Sequence, residues 1–184
     1  LLCGSCVLIP FANPEAVRRR WPHIDFEAGR YYGSDQVNNV NCTWTGDPQG
    51  SNAQRLSNAL FEAHVGDATH LIDLHSWKRR MAATALARFG RDDSMSLAEA
   101  MKLRFARHAS PHKEPVDGPR TPCTLATYFH DTDRTAIVIE FAGQYGFWPG
   151  QVAAGLRAMT NAFKHFGMLP GELEGEGEPV IWTN

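Results

Sequence analysis

The sequence predicts an α/β protein with a mostly parallel or mixed central sheet and helices on both faces. Two strand-like runs and the helices between them carry this expectation. Thr135-Ala136-Ile137-Val138-Ile139-Glu140-Phe141 is a β-branched run too apolar to be half exposed. Leu71-Ile72-Asp73-Leu74-His75-Ser76 reads as a second buried strand, in which alternation puts Asp73 and His75 on one face and Ile72 and Leu74 on the other. Helical patterns alternate with such runs along the chain, as crossovers between parallel strands require.

The elements follow in order. Leu1 to Pro10 reads as a first buried strand containing Cys3 and Cys6. Asn13-Pro14 breaks it, and Pro14 opens a short helix through Arg20. From Pro22 to Gly50 there is no periodicity, so a long surface loop is expected. Ser51 caps a helix running to about Val65, with Leu56, Leu60 and Phe61 on one face. After the strand that holds His75, Ala82 to Phe89 and Ser96 to His108 read as helices separated by the turn Gly90-Arg91-Asp92-Asp93, with Ser96 and Glu99 as a capping pair. Ala109 to Arg120 is a loop, and Thr121 to His130 suits either strand or helix. Gln151 to Phe166 is an amphipathic helix closed by Gly167, and Gly171 to Glu178 is an acidic Gly-rich linker before Val180, where a further strand begins.

Composition sets the class. The 184 residues are 43% hydrophobic and 21% charged, enough for one sizeable core. A net charge of −2 supplies no basic field for nucleic acid or an anionic membrane, and the apolar runs Leu1 to Ala12 and Thr135 to Ala142 are too short to span a bilayer. Four cysteines in a chain of this length make no disulfide framework, so a reducing, cytoplasmic setting is expected. Cys3-Gly4-Ser5-Cys6 has the spacing of a redox or zinc pair, but its place in an apolar strand favours packing. Both chain ends read as cut, since the sequence starts at Leu1 and stops inside a strand-like run.

Two polar residues stand out because each ends a hydrophobic strand. In open α/β sheets, ligands bind beyond the carboxyl ends of the strands. His75 is there a candidate metal ligand, with Asp73 on the same face as a carboxylate partner. Glu140 is a candidate general base, because a carboxylate ending an apolar strand is costly to bury unless it is paired, protonated or put to use. The structural alternative for Glu140 is an ion pair with Arg134 or Arg157. His23, His64, His70, His108, His112, His130 and His165 fall in loops, helix ends or surfaces and read as structural.

The order of five segments resembles the succinylglutamate desuccinylase/aspartoacylase family, the acylase branch of the carboxypeptidase A-like zinc hydrolases. They are Ile9 to Ala16, Asn39 to Pro48, Ile72-Asp73-Leu74-His75-Ser76, Ile137-Val138-Ile139-Glu140, and Phe166 to Gly171. The resemblance implies a zinc-carboxypeptidase-like core over residues 1–171, followed in 172–184 by a linker and the start of a further β segment. It implies one Zn2+ with His75 as a ligand, Glu140 as the base that activates water, and Asn41 as a substrate contact. The implied activity is hydrolysis of the amide bond in an N-acylated amino acid or related amine. The alternatives are a zinc carboxypeptidase and a metal-free binding module of the same fold.

Two departures qualify the resemblance. The family takes two further zinc ligands from a His-x-x-Glu motif upstream of the first strand, and residues 1–6 contain none, so those ligands are expected outside this chain. Where family members usually carry Leu-Asn-Arg, this chain has Val40-Asn41-Cys42, and cysteine cannot pair bidentately with a substrate carboxylate. Arg20, from the run Arg18-Arg19-Arg20, is the candidate substitute cation. The alternative is a solvated helix end.

Overall fold

A computed structural model describes residues 3–19, 39–76, 83–88, 91–109, 123–142, 148–175 and 177–183. The chain divides into two compact units, one of residues 1–6, 70–115 and 135–184 and the other of residues 7–69 and 116–134.

The first unit is built on a five-stranded sheet. Its strands are β1 (His70–Ser76), β2 (Thr84–Arg88), β3 (Phe105–Ala109), β4 (Thr135–Phe141) and β5 (Val180–Thr183), in the order β1-β4-β2-β3-β5. β1 runs parallel to β4, β2 antiparallel to β4, and β3 parallel to both β2 and β5, so the sheet is mixed. The β-branched run 135–141 occupies an interior position, as its apolar character requires. Ile137, Ile139, Ala85, Ala87 and Ala106 form one face of the sheet and are all fully buried. Against them lie Leu97, Ala98 and Met101 from helix α3 (Asp92–Ala100) and its end, and Ala158 and Ala162 from helix α5 (Pro149–His165). Gly155 lets α5 approach closely, because a Cβ there would sit 2.9 Å from Phe141 Cζ.

The sheet differs from the sequence expectation in three places. Ala82 to Phe89 contains strand β2 rather than a helix: Ala85 and Ala87 favour helix locally, but both pack flat beneath α3 in a strand paired on both edges. Ser96 does not open a helix. Asp92 and Asp93 occupy the first turn of α3, where carboxylates suit the helix dipole, and Lys102 at φ 51° ends it before β3. Residues 3–10 form no strand, and Val7 and Leu8 are exposed, as are Cys3 and Cys6, which were expected to be buried. An apolar run becomes a strand only when a neighbour takes up its backbone hydrogen bonds, and no ladder partner for this run lies among the described residues.

The segment after α5 lies along that helix. Asn161, fully buried, donates from Nδ2 to the Glu174 carbonyl at 2.8 Å and accepts from the Glu174 N–H at 2.8 Å. Lys164 donates to the Glu172 carbonyl and to Glu174 Oε1, both at 2.7 Å, and Lys102 pairs with Glu178 at 3.0 Å. β5 then joins the sheet edge at β3.

The second unit holds helices α1 (Pro14–Arg19), α2 (Asn52–Leu60) and α4 (Leu125–Asp131). Ser51 and Gln54 form a reciprocal capping box at the start of α2, and the expected run to Val65 is completed by one wide turn, Phe61–Val65. The ambiguous segment resolves as α4, capped by Thr124. Arg134 closes this unit by donating to the Gly66 and Ala68 carbonyls at 2.8 and 2.9 Å, with its guanidinium 4.2 Å from the Phe129 ring centroid. No described helix is long and apolar enough to cross a membrane.

Candidate active site

The parallel register of β1 and β4 places His75 directly beside Glu140, one residue before the carboxyl end of each strand. Their side chains meet, with His75 Nδ1 3.4 Å from Glu140 Oε1. On the same face of β1, Asp73 Oδ2 lies 3.0 Å from His75 Nε2. The imidazole is thus held between two carboxylates. Burial of the ring disfavours its cation, but Asp73 and then Glu140 outweigh that and raise the His75 pKa from 6.5 to about 10.

Glu140 is 8% exposed, and its second oxygen, Oε2, is buried without a hydrogen-bond partner. Such an orphaned acceptor in a native site calls for a proton, an ion or a substrate group to meet it. Neither arginine considered for Glu140 serves: Arg134 is engaged by backbone carbonyls of the second unit, and Arg157 lies by Glu174. The face beyond Glu140 continues through Thr84, its register partner on β2, which is 1% exposed. The helical reading of 82–89 concealed this neighbour.

Asn41 sits in the 3-10 turn Val40–Cys42 of the second unit, where its N–H donates to Asn39 Oδ1 at 3.1 Å. Burial pushes the Cys42 thiol up from its ordinary range, so it stays neutral. Trp44 in the same loop is buried and exchanges two backbone hydrogen bonds with Cys123, so its role there is packing. Arg20 lies outside the described residues, as does His112, and His108 lies on β3. His70 stacks on Phe166, with ring centroids 4.6 Å apart.

The charge at His75 suits a cation, since two carboxylates flank one imidazole and Glu140 Oε2 is uncompensated. The number of donors does not suit zinc, which takes three protein ligands at a catalytic site. Among the described residues, no three His, Cys, Asp or Glu side chains converge on one point. These described residues alone therefore do not make a metal site.

A mixed α/β sheet that presents a histidine and an unsatisfied glutamate at adjacent strand ends defines the class: an α/β protein with a polar pair near the carboxyl ends of two parallel strands. The family model of the succinylglutamate desuccinylase/aspartoacylase catalytic domain matches residues 2–166, and the chain belongs to that family. It is 22% identical, over 98% of its length and 50% of the relative's, to an N-alpha-acetyl-L-2,4-diaminobutyric acid deacetylase of Halomonas elongata. Among solved structures it resembles a succinylglutamate desuccinylase/aspartoacylase from Rhodobacter sphaeroides, with a TM-score of 0.76 and 18% identity over 95% of this chain and 50% of that one. It also resembles the product-bound ectoine utilization protein EutE (DoeB) from Ruegeria pomeroyi, with a TM-score of 0.67 and 16% identity over 88% of this chain and 49% of that one. These likenesses support the mixed sheet with its helices. The chain spans about half the length of the curated relative it matches.

Proposed function

We propose that this chain is the catalytic part of a hydrolase that cleaves the amide bond of an N-acylated amino acid or related amine. The observation that carries this reading is the buried, unpartnered oxygen of Glu140 beside His75, at the strand ends of a chain whose family is that of deacylases. A carboxylate oxygen so placed can take the proton of an attacking water and return it to the leaving amine, which needs it to depart. Zinc belongs to the proposal, with His75 as one ligand and the others from outside the described residues. When bound, it supplies Lewis-acid polarisation of the amide carbonyl.

Asn41 is proposed as a substrate contact and Arg20 as a cation for an anionic substrate group, both on the family resemblance. Cys42 is neutral and offers no bidentate pairing, which argues against a substrate chosen for an acidic side chain. The deacetylase from Halomonas elongata is named for an acetylated diamino acid, and substrates with a basic or neutral side chain are proposed here on the same ground.

The test is an assay of the complete protein against N-acetylated acidic, neutral and basic amino acids, before and after chelation and after zinc is restored. The proposal expects release of free amine, loss of turnover on chelation, recovery with zinc, and acidic substrates ranked last. Tight binding of the same compounds without any release of amine would instead mark a binding module.

A further inference from the structure

Cys3 and Cys6 stand in C-x-x-C spacing within an apolar run that reads as a strand, yet the described residues 3–10 form none. That difference decides what the two thiols can do. In a strand, residues three apart point to opposite faces and their Cα atoms stand about 10 Å apart. A disulfide needs Cα atoms within about 7 Å, so a strand would keep the pair open. A turn brings residues three apart within that distance. Here the chain bends at Cys3 and Gly4, and Gly4 has φ +138°, a backbone that residues with a side chain rarely adopt. We propose that Cys3 and Cys6 form a reversible dithiol–disulfide pair, oxidised by a low-molecular-weight disulfide and reduced again by the matching thiol. The proposal goes beyond the hydrolytic reading and does not depend on it.

Both thiols are free and exposed, so a small disulfide can reach either one. The bend itself is anchored from behind. The Met168 side chain, 9% exposed, lies against Gly4, where a Cβ would meet its Cε at 3.6 Å and its Sδ at 3.9 Å. Met168 is fixed in turn at the end of α5, where its N–H donates to the Phe163 carbonyl at 2.8 Å. The run has no ladder partner among the described residues, so closing the bond breaks no strand pairing. Cys42 and Cys123 are half-buried members of the second unit and lack this spacing. Zinc is the other occupant that C-x-x-C spacing suits, but a structural zinc takes four ligands, and among the described residues no third His, Cys, Asp or Glu joins the pair.

The exchange balances with the small disulfide as its oxidant. A thiolate of the pair attacks one sulfur of that disulfide and displaces one small thiol, leaving a mixed disulfide. The second protein thiol attacks the protein sulfur of the mixed bond, closes the Cys3–Cys6 bridge and displaces the other small thiol. The pair loses two electrons and two hydrogens, and the small disulfide gains both.

The experiment equilibrates the complete protein with reduced and oxidised glutathione at several ratios and totals, alkylates the remaining thiols, and maps the cysteine peptides by mass spectrometry. The expected result is a Cys3–Cys6 bridge that disappears on reduction. Its fraction should follow the square of the reduced glutathione concentration over that of the oxidised form, as a bond within one chain requires. Cys3→Ser should leave Cys6 only a mixed disulfide with glutathione, following the first power. Gly4→Ala should lower the equilibrium constant of the bridge by about tenfold, because a side chain disfavours the bend. Glutathione on each cysteine without a bridge would overturn the proposal. So would both thiols still open to alkylation in the most oxidising buffer, or a bridge from either to Cys42 or Cys123. An unchanged constant in Gly4→Ala would show that the bend does not bring the thiols together, and the structural basis would fall with it.

Discussion

Glu140 keeps one oxygen against His75 and leaves the other bare where water scarcely reaches, and its proposed role as a proton carrier rests on that asymmetry. Not every single residue that matters lies at the site. Gly46 has φ +93°, and a Cβ there would fall 2.2 Å from the Asn58 nitrogen and 2.5 Å from the Gln54 carbonyl oxygen, both backbone atoms of α2. Neither can move without breaking the helix, so Gly46→Ala should cost about 3 kcal/mol or more, read as a lowered denaturant midpoint; an unchanged midpoint would contradict the packing of this loop on α2. At this scale the sequence was readable where chemistry and position coincided. His75 and Glu140 each end an apolar run, so their exception to the pattern was visible. Thr84 was not, because its place opposite Glu140 depends on strand pairing that no local pattern records.

Elements show where local preference gave way. The apolar runs of β1 and β4 could be read directly, whereas β2 is rich in alanine and is extended only because α3 lies above it and β3 and β4 flank it. α3 itself is tied to the sheet through Asp93. Burial raises the pKa of this carboxyl, but hydrogen bonds from Arg91, from Thr135 at 2.5 Å and from the Ser94 N–H together outweigh that and lower it from 3.8 to about 2. A carboxyl depressed on folding stabilises the protein fully above its unfolded value, and that contribution fades as pH falls from about 4 through about 2. The thermal midpoint of wild type should therefore exceed that of Asp93→Asn at pH 6, with the gap closing towards pH 2. A gap that persists at pH 2 would show that the carboxylate charge is not what holds α3. Downstream, the strap on α5 depends on Asn161. Asn161→Leu removes both hydrogen bonds to Glu174, at a cost of about 1–2 kcal/mol, and should speed amide exchange at Glu174; unchanged protection there would show that Lys164 alone holds the segment.

On the scale of the whole molecule, the order of segments carried more than any one of them. The mixed α/β sheet and the family were both legible, because five segments in sequence order are a stronger constraint than a single histidine at a strand end. For the metal, the sequence led to the expectation of one ligand, His75, in this chain and two outside it, and among the described residues no three His, Cys, Asp or Glu side chains converge on one point. On the proposed reading, Glu140 acts as the proton carrier next to a cation held at His75. It is tested most directly by measuring zinc content and kcat together in the complete protein and its Glu140→Gln variant. Glutamine keeps the shape and cannot take a proton, so zinc content should stay near that of wild type while kcat falls by about 100-fold or more. Turnover near the wild-type rate would contradict the claim outright, and loss of zinc along with activity would make Glu140 a ligand or a support for one instead.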